Sequence, residues 1–432
     1  MMLDAGIILI ATFLGLLIIG VPIGICIAVS SMATILIALP PDIAIFTTAQ
    51  KMVSSLDSFT LLAVPFFILS GVLMNHGGIA LRLVNFAKLF SGRIPGSLAH
   101  TNIMGNMMFG AISGSAIAAS TSIGGVMVPM SEKEGYSRPF SAAANIASAP
   151  TGMLIPPTTA FILYALASGG TSISALFAGG LVAGCLWGIG CMLVAYITAK
   201  SRGYTNKIDL RNSSVLKVIT DALPSLFLII IIIGGIVLGV FTAVEASAIS
   251  VIYTMLLTIC FYRTINFSAF QMALIKALET TGVIMFLLAA SAAMSFAMSI
   301  TGLPSALSSI ILGLSDNPAI VLLVITLMLL AIGCFMDIGP AILIFTPILL
   351  PITNQIGLDP VHFGIVMVFN LCIGTITPPV GTGLFVGAGI AREKVENLII
   401  PLLPFYLVIM ATLLLITYIP QITLFLPRLM GL

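Results

Sequence analysis

Charge is what this sequence has least of. Of its 432 residues only 16 are Lys or Arg and 14 are Asp or Glu, 7% in all, against roughly 25% in a soluble domain. So few charges cannot cover a surface that faces water. Cysteine is scarce too: Cys26, Cys185, Cys191, Cys260, Cys334 and Cys372 stand singly in apolar runs, without the close spacing of a metal or redox pair, and read as small hydrophobes. No GxxxxGK[ST] loop occurs to cradle a nucleotide, so nothing supports ATP hydrolysis. A net charge of +2, with the basic residues scattered, leaves no footprint for nucleic acid. Residues 1–10 lack a basic start and a small-residue cleavage site, so the first apolar stretch reads as a retained span and not a signal peptide.

What is present is hydrophobic: 59% of the chain. Apolar stretches at 7–39, 172–199, 223–241 and 398–426 reach or exceed the ~20 residues that cross a bilayer at 1.5 Å per residue. The pattern predicts nine full spans, near 5–38, 58–75, 138–168, 173–199, 220–241, 243–262, 277–300, 360–389 and 397–427. Two shorter stretches, 97–131 and 318–353, are broken in the middle by small, polar or helix-breaking residues, which marks hairpins that dip in and return on the same side. With the amino terminus in the cytoplasm and the carboxyl terminus outside, Arg82, Lys88, Arg93, Lys133, Arg138, Lys200, Arg202, Lys207, Arg211, Lys217, Arg263, Lys276, Arg392 and Lys394 fall inside and only Lys51 and Arg428 outside. That is the positive-inside bias, and counting either hairpin as a crossing would destroy it. Segments 79–93 and 304–314 read as helices lying in the interface, or as surface connectors.

An internal repeat accompanies this topology. An offset of 222 residues superimposes Pro129 on Pro351, Gly135 on Gly357, Gly152 on Gly374, and Pro156-Pro157 on Pro378-Pro379. An odd number of spans separates the two copies, so the second enters from the opposite face. Inverted repeats with interrupted helices are a recurring plan of secondary transporters.

Each copy carries two breaks. The first hairpin turns at 112–116, around Ser113 and Ser115, and the next span is interrupted from Pro150, Thr151 and Gly152 through Thr158 and Thr159. The second turns at 333–340, from Gly333 through Asp337, followed by Gly374, Thr375, Thr377 and Pro378. Proline removes a helical hydrogen bond and glycine permits non-helical dihedrals, so backbone groups are released there. They cannot face lipid and must line a cavity or bind a ligand. Unwound carbonyls suit a hard cation such as Na⁺; N–H groups at helix starts suit a carboxylate.

The offset sets Asp337 opposite Ser115. An acid at a re-entrant tip points to function: it holds a cation, holds polar substrate groups, or caps the second arm. Asn106 and Asn145 are either ligands or links between helices. His76, His100 and His362 lie near span ends with no second ligand at helical spacing, and Glu245 and Glu279 read as snorkelling to the interface. An intramembrane hydrolase using Ser113 or Ser115 would need a His within reach, and none stands at a tip or break. A channel or structural subunit is the remaining alternative.

The runs SGSAIAAS at 113–120, IPPTTAFILY at 155–164, GCFMD at 333–337, GLDPVHFGIVMVFNLCIGTITPPVG at 357–381 and LFVGAGIA at 384–391 resemble the large membrane subunit of TRAP transporters, the tripartite ATP-independent periplasmic systems. The likeness covers nearly the whole chain. It implies an all-α integral membrane protein of the inverted-repeat, ion-transporter-like elevator fold, with two re-entrant hairpins and two broken helices. The division would be 1–57 as scaffold span and extracytoplasmic loop, 58–199 as first repeat, 200–276 as cytoplasmic loop and scaffold spans, and 277–427 as second repeat. The implied activity is Na⁺-driven import of an organic acid across the bacterial inner membrane. The implied partners are a small four-helix membrane subunit, expected as a separate chain, and an extracytoplasmic binding protein that delivers the solute.

Carried onto this chain, Na⁺ sites would draw on Ser113, Ser115, Asn145, Pro150 and Gly152, and on Gly333, Asp337, Gly374, Thr375, Thr377 and Pro378. Substrate would touch Ser115, Asp337, Thr158 and Thr159. Many relatives have Ser where Thr158 stands, which keeps the hydroxyl. The neutral tip and unfused chain resemble the sialic-acid branch; C4-dicarboxylates and sugar acids are the other family substrates.

Overall fold

The computed structural model describes residues 2–92, 94–204, 215–315 and 317–432, and these form helices and turns with no strand among them. Eight of the helical stretches are long and apolar enough to cross a membrane. Of the basic residues used for topology, Arg93, Lys207 and Arg211 lie outside the described residues.

The chain begins with a correction. The single span expected over 5–38 is two helices, α1 (Met2–Ile18) and α2 (Ile23–Ala38), packed side by side. Gly20 takes φ +87, a left-handed conformation open to glycine, and Pro22 caps α2 without offering an N–H, so one helix stops and another starts. Gly6 lies against Leu303, whereas Pro22 shares a cavity wall with Lys276. The turn is therefore at the Lys276 face and the amino terminus at the Leu303 face, so the amino terminus and Lys276 do not share a face as the single span implied. Hydropathy could not separate the two cases, because a run of this length suits one tilted span or two short helices. No basic residue precedes Lys51, so the charge pattern of every later loop is unchanged.

A helix, α3 (Pro41–Ser54), occupies the expected loop, and Lys51 sits over the Phe296 ring at 5.2 Å. The first repeat follows: α4 (Ala63–His76), α5 (Ile79–Ser91), a hairpin of α6 (Ser97–Ser113) and α7 (Ala116–Lys133), a broken helix of α8 (Arg138–Ser148) and α9 (Thr159–Ala167), then α10 (Ile173–Arg202). After α11 (Val215–Val237) and α12 (Ala243–Met255), the same order returns in α13 (Phe267–Thr301), α14 (Leu303–Leu314), the hairpin α15 (Pro318–Phe335) and α16 (Ile338–Gln355), the broken helix α17 (Pro360–Ile376) and α18 (Thr382–Ala391), and α19 (Val395–Tyr418). Gly135 and Gly357 both take positive φ after their hairpins, and Pro156-Pro157 and Pro378-Pro379 are both cis.

Two further boundaries differ from expectation. The last span, read as 397–427, ends at Tyr418, and α20 (Pro420–Leu429) turns back against α10, with Thr423 O meeting Gly179. Pro420 has no N–H to continue the ladder of α19. Helix α13 starts at Phe267 and not near 277, so Glu279 lies well inside it instead of at its end. Glu245 forms a capping box with Thr242 at the start of α12.

The two broken helices meet in the core. Trp187 of α10 is fully buried, its ring 4.6 Å from that of Phe369 on α17, and its Nε1–H donates to Ala147 O of α8 at 2.7 Å. In hydrocarbon an indole N–H without a partner would cost several kcal/mol, so this bond fixes α10 on the seam between the repeats.

Candidate functional site

Each hairpin tip is built by a helix stop and an N-cap. Gly114 ends α6 with φ +62, and Ser115 caps α7, its Oγ accepting from Ala118 N at 3.3 Å. Ser113 Oγ donates to Ser115 O at 3.4 Å, and Ser113 O lies against Gly71 of α4. A Cβ on Gly114 would sit 3.2 Å from Pro157 O, so this tip rests on the turn that leads into α9. Thr158 caps α9, accepting from Phe161 N at 3.4 Å. At the other tip Asp337 caps α16 by position but makes no side-chain capping bond. Ser115 and Asp337 thus hold equivalent places with different outcomes: the hydroxyl is turned onto its own helix, and the carboxylate is left exposed.

Behind the tips, backbone packs on backbone. A Cβ on Gly152 would lie 3.0 Å from Gly110 C, and one on Gly374 would lie 2.5 Å from Gly333 O. Each hairpin therefore leans on the break of its own repeat through a glycine pair, with no room for a side chain. Pro150 and Gly152 lie in the 3₁₀ turn Ala149–Met153. In the second break Thr375 Oγ1 donates to Cys372 O and Thr377 Oγ1 to Ile373 O, both at 2.7 Å. The carbonyl oxygens of Thr375 and Thr377 converge on Gly381, 3.0 and 2.7 Å from where its Cβ would be; Pro378 follows directly. Backbone oxygens gathered beside an unwound stretch are the donor type that hard cations take.

A cavity of about 940 Å³ lies between this assembly and α2 and α13. Thr159 and Leu163 of α9 and Asp337 and Gly339 of the second tip line one side; Pro22, Lys276 and Glu279 line the other. Of the four expected substrate contacts the structure brings Thr159 and Asp337 to this cavity, whereas Ser115 and Thr158 do not line it. Lys276 and Glu279, paired at 3.3 Å, were missed by the sequence reading because α13 was started too late. Their three-residue spacing was the available signal.

Asn145 falls between its two readings on the side of a link. Its Nδ2 donates to Ser120 O at 3.1 Å and Ser120 Oγ at 2.9 Å, and its Oδ1 accepts from Asn106 Nδ2 at 3.0 Å. Asn106 also donates to Ser148 Oγ at 2.8 Å. These bonds tie α6, α7 and α8 into one body. His362 is buried between Thr423 Oγ1 at 2.7 Å and Thr417 O at 3.2 Å, a packing role. Among the described residues no group of three or more His, Cys, Asp or Glu is placed to hold a metal.

Two oppositely entered hairpins, each leaning on a broken helix, are the fold of a membrane transporter. The transporter YdaH of Alcanivorax borkumensis shares it, with a TM-score of 0.63 over 88% of this chain and 89% of that one at 15% identity. The particular family comes from sequence. Residues 10–422 match the model of the tripartite ATP-independent periplasmic transporter, DctM component, and the chain belongs to that family. The uncharacterized protein YgiK of Salmonella typhimurium is 52% identical over 98% of this chain and 97% of its own length. The isethionate TRAP transporter permease protein DctMQ of Oleidesulfovibrio alaskensis is 39% identical over 95% of this chain, which spans 64% of that protein. The sialic acid TRAP transporter large permease protein SiaM of Vibrio cholerae is 36% identical over 96% and 97%. The chain is a transporter permease and not an enzyme.

Proposed function

We propose that this chain is the carrier subunit of a Na⁺-coupled importer for a small organic anion, working by movement of the two hairpins and two broken helices as a body along α2 and α13. The carrying observation is that Asp337 and Thr159, from oppositely oriented repeats, line one cavity against those two helices. A solute held at that wall touches both repeats at once. The N-termini of α7 and α16 present partial positive charge at the tips, and Thr159 adds a hydroxyl. Na⁺ would neutralise Asp337 and take the carbonyls of Thr375 and Thr377, so that solute and cation stabilise each other's sites.

The basic residues at helix ends, Lys133, Arg138, Lys200 and Arg202, and Lys276 within α13 support a cytoplasmic face at the mouth of the cavity. Both termini would then be periplasmic, in the inner membrane. A tripartite family supports two partners, a small membrane subunit and a periplasmic binding protein. The acids named for the relatives, isethionate and sialic acid, share one anionic group on a polar body, and N-acetylneuraminate is the first solute to test. The chain is reconstituted with its small subunit in liposomes, and uptake of labelled acid is followed with and without Na⁺ and binding protein. Saturable uptake requiring both supports the reading, whereas Na⁺-independent or non-saturable flux would favour a channel.

A further inference from the structure

Three smaller cavities lie toward the opposite face of the same seam. The central one, about 360 Å³, is lined by Ser55 and Ser58 before α4, Leu166 of α9, Ser291 and Ser295 of α13, and Leu343 of α16. Its neighbours, about 600 and 420 Å³, share Ser58 and Leu166 on one side and Ser295 and Pro347 on the other. None of the three is lined by a charged side chain. Ser291 is 6% exposed and its Oγ has no hydrogen-bond partner among the described residues. Such a hydroxyl can bond to water or to a polar ligand that enters the chamber.

The same three helices line the large cavity and this chamber, one turn apart. On α9 the boundary runs between Leu163 and Leu166, on α13 between Leu287 and Leu288, and on α16 between Pro340 and Leu343. Where the two spaces approach each other, Leu163 and Leu287 line the large cavity and Leu166, Leu288 and Leu343 line the chamber. From Val283 beside the large cavity to Ser295 beside the chamber is about 18 Å along α13 at 1.5 Å per residue.

We infer that the serine-lined chamber is the periplasmic half of the solute's path, a vestibule of neutral hydroxyls holding a small polar anion before a one-turn leucine barrier. The inference rests on the transport reading above and adds where the outer vestibule lies, which residues form it and how thin the barrier is. Hydroxyls donate to a carboxylate or sulfonate oxygen and accept from a sugar hydroxyl. Without a fixed cation they hold the anion weakly enough to release it. In the outward state the tip carrying Asp337 passes Leu287 and Leu288 and stands level with Ser291 and Ser295.

The test needs no solute. Ser295→Cys, Ser58→Cys and Val283→Cys are made separately in the full chain with its small subunit. Each is exposed to methanethiosulfonate ethylsulfonate, an anionic impermeant thiol reagent, in spheroplasts and in inverted membrane vesicles, with the unsubstituted chain reporting its native cysteines. Ser295→Cys and Ser58→Cys are expected to react at least tenfold faster from the periplasmic side, and Val283→Cys from the cytoplasmic side. Adding Leu288→Ser should open Ser295→Cys to the reagent from the cytoplasm. Silence of both Ser295→Cys and Ser58→Cys from the periplasm, or equal rates from both faces, overturns the inference. A chain that labels as expected yet carries no solute would instead count against the transport reading.

Discussion

Replacing Gly374 by Ala tests whether the hairpins are held by backbone contact. The added methyl would lie 2.5 Å from Gly333 O and closer still to its Cα and C. Nonbonded carbon contacts settle near 3.5–4.0 Å, so α15 and α17 must separate by at least about 1 Å. Overpacking costs about 1–3 kcal/mol when side chains can rotate away. Here backbone meets backbone and no rotamer relieves the clash, so the upper end, about 3 kcal/mol, applies. At about 1.4 kcal/mol per tenfold, the folded-to-unfolded ratio drops by roughly two orders of magnitude. Gly389→Ala is the matched control, since it lies in α18 with nothing within 4 Å of its Cβ position; there alanine gains about 0.5–1 kcal/mol of helix stability. The assay is the monodisperse fraction of detergent-solubilised protein after a heating series. Gly374→Ala should lose its folded peak at a clearly lower temperature than the parent, and Gly389→Ala at the same or a higher one. Equal midpoints for the two variants would refute the backbone-contact argument.

The other expectations follow from single contacts. Asp337→Ala should abolish Na⁺-driven uptake in liposomes while co-purification with the small subunit is retained; undiminished uptake would remove Asp337 from the site. Asn145→Ala breaks the bonds to Ser120 and Asn106 and should lower thermal stability by about 1–3 kcal/mol without changing the Na⁺ concentration that half-saturates uptake, an outcome that would reverse were Asn145 an ion ligand. Trp187→Phe removes the indole bond to Ala147 O and leaves it the weak Cys191 Sγ–H contact at 3.7 Å, and should cost about 1–3 kcal/mol, read as a lower unfolding midpoint. Arg82 stacks 3.8 Å from the Tyr262 ring centroid and donates to Gly78 O at 3.0 Å, so Arg82→Ala should cost about 0.5–2 kcal/mol in the same assay, with Arg82→Lys recovering part of it.

Much of this protein was legible in the chain. Sparse charge and long apolar runs identified lipid as the solvent. The 222-residue offset located both hairpins and both breaks: α6 ends at Gly114, α16 starts after Asp337, and α8 and α17 end just before Pro150 and Pro378, although Pro129 and Pro351 are carried inside α7 and α16. Charge could not locate the amino terminus, since no basic residue lies before Lys51 to report the extra crossing. Nor could propensity separate Ser115 from Asp337, two N-caps of which one bonds its own helix and the other faces the cavity.

Local chemistry determined where helices end, and with it the inverted repeat, because the loss of an N–H or the freedom of a glycine acts within one turn. Which ends meet was decided by tertiary packing. The glycine pairs Gly110 with Gly152 and Gly333 with Gly374, the wall shared by Thr159 and Asp337, and the leucines where two cavities approach each other all join residues distant in the chain. Such contacts depend on how whole helices cross, and no window of sequence carries that information.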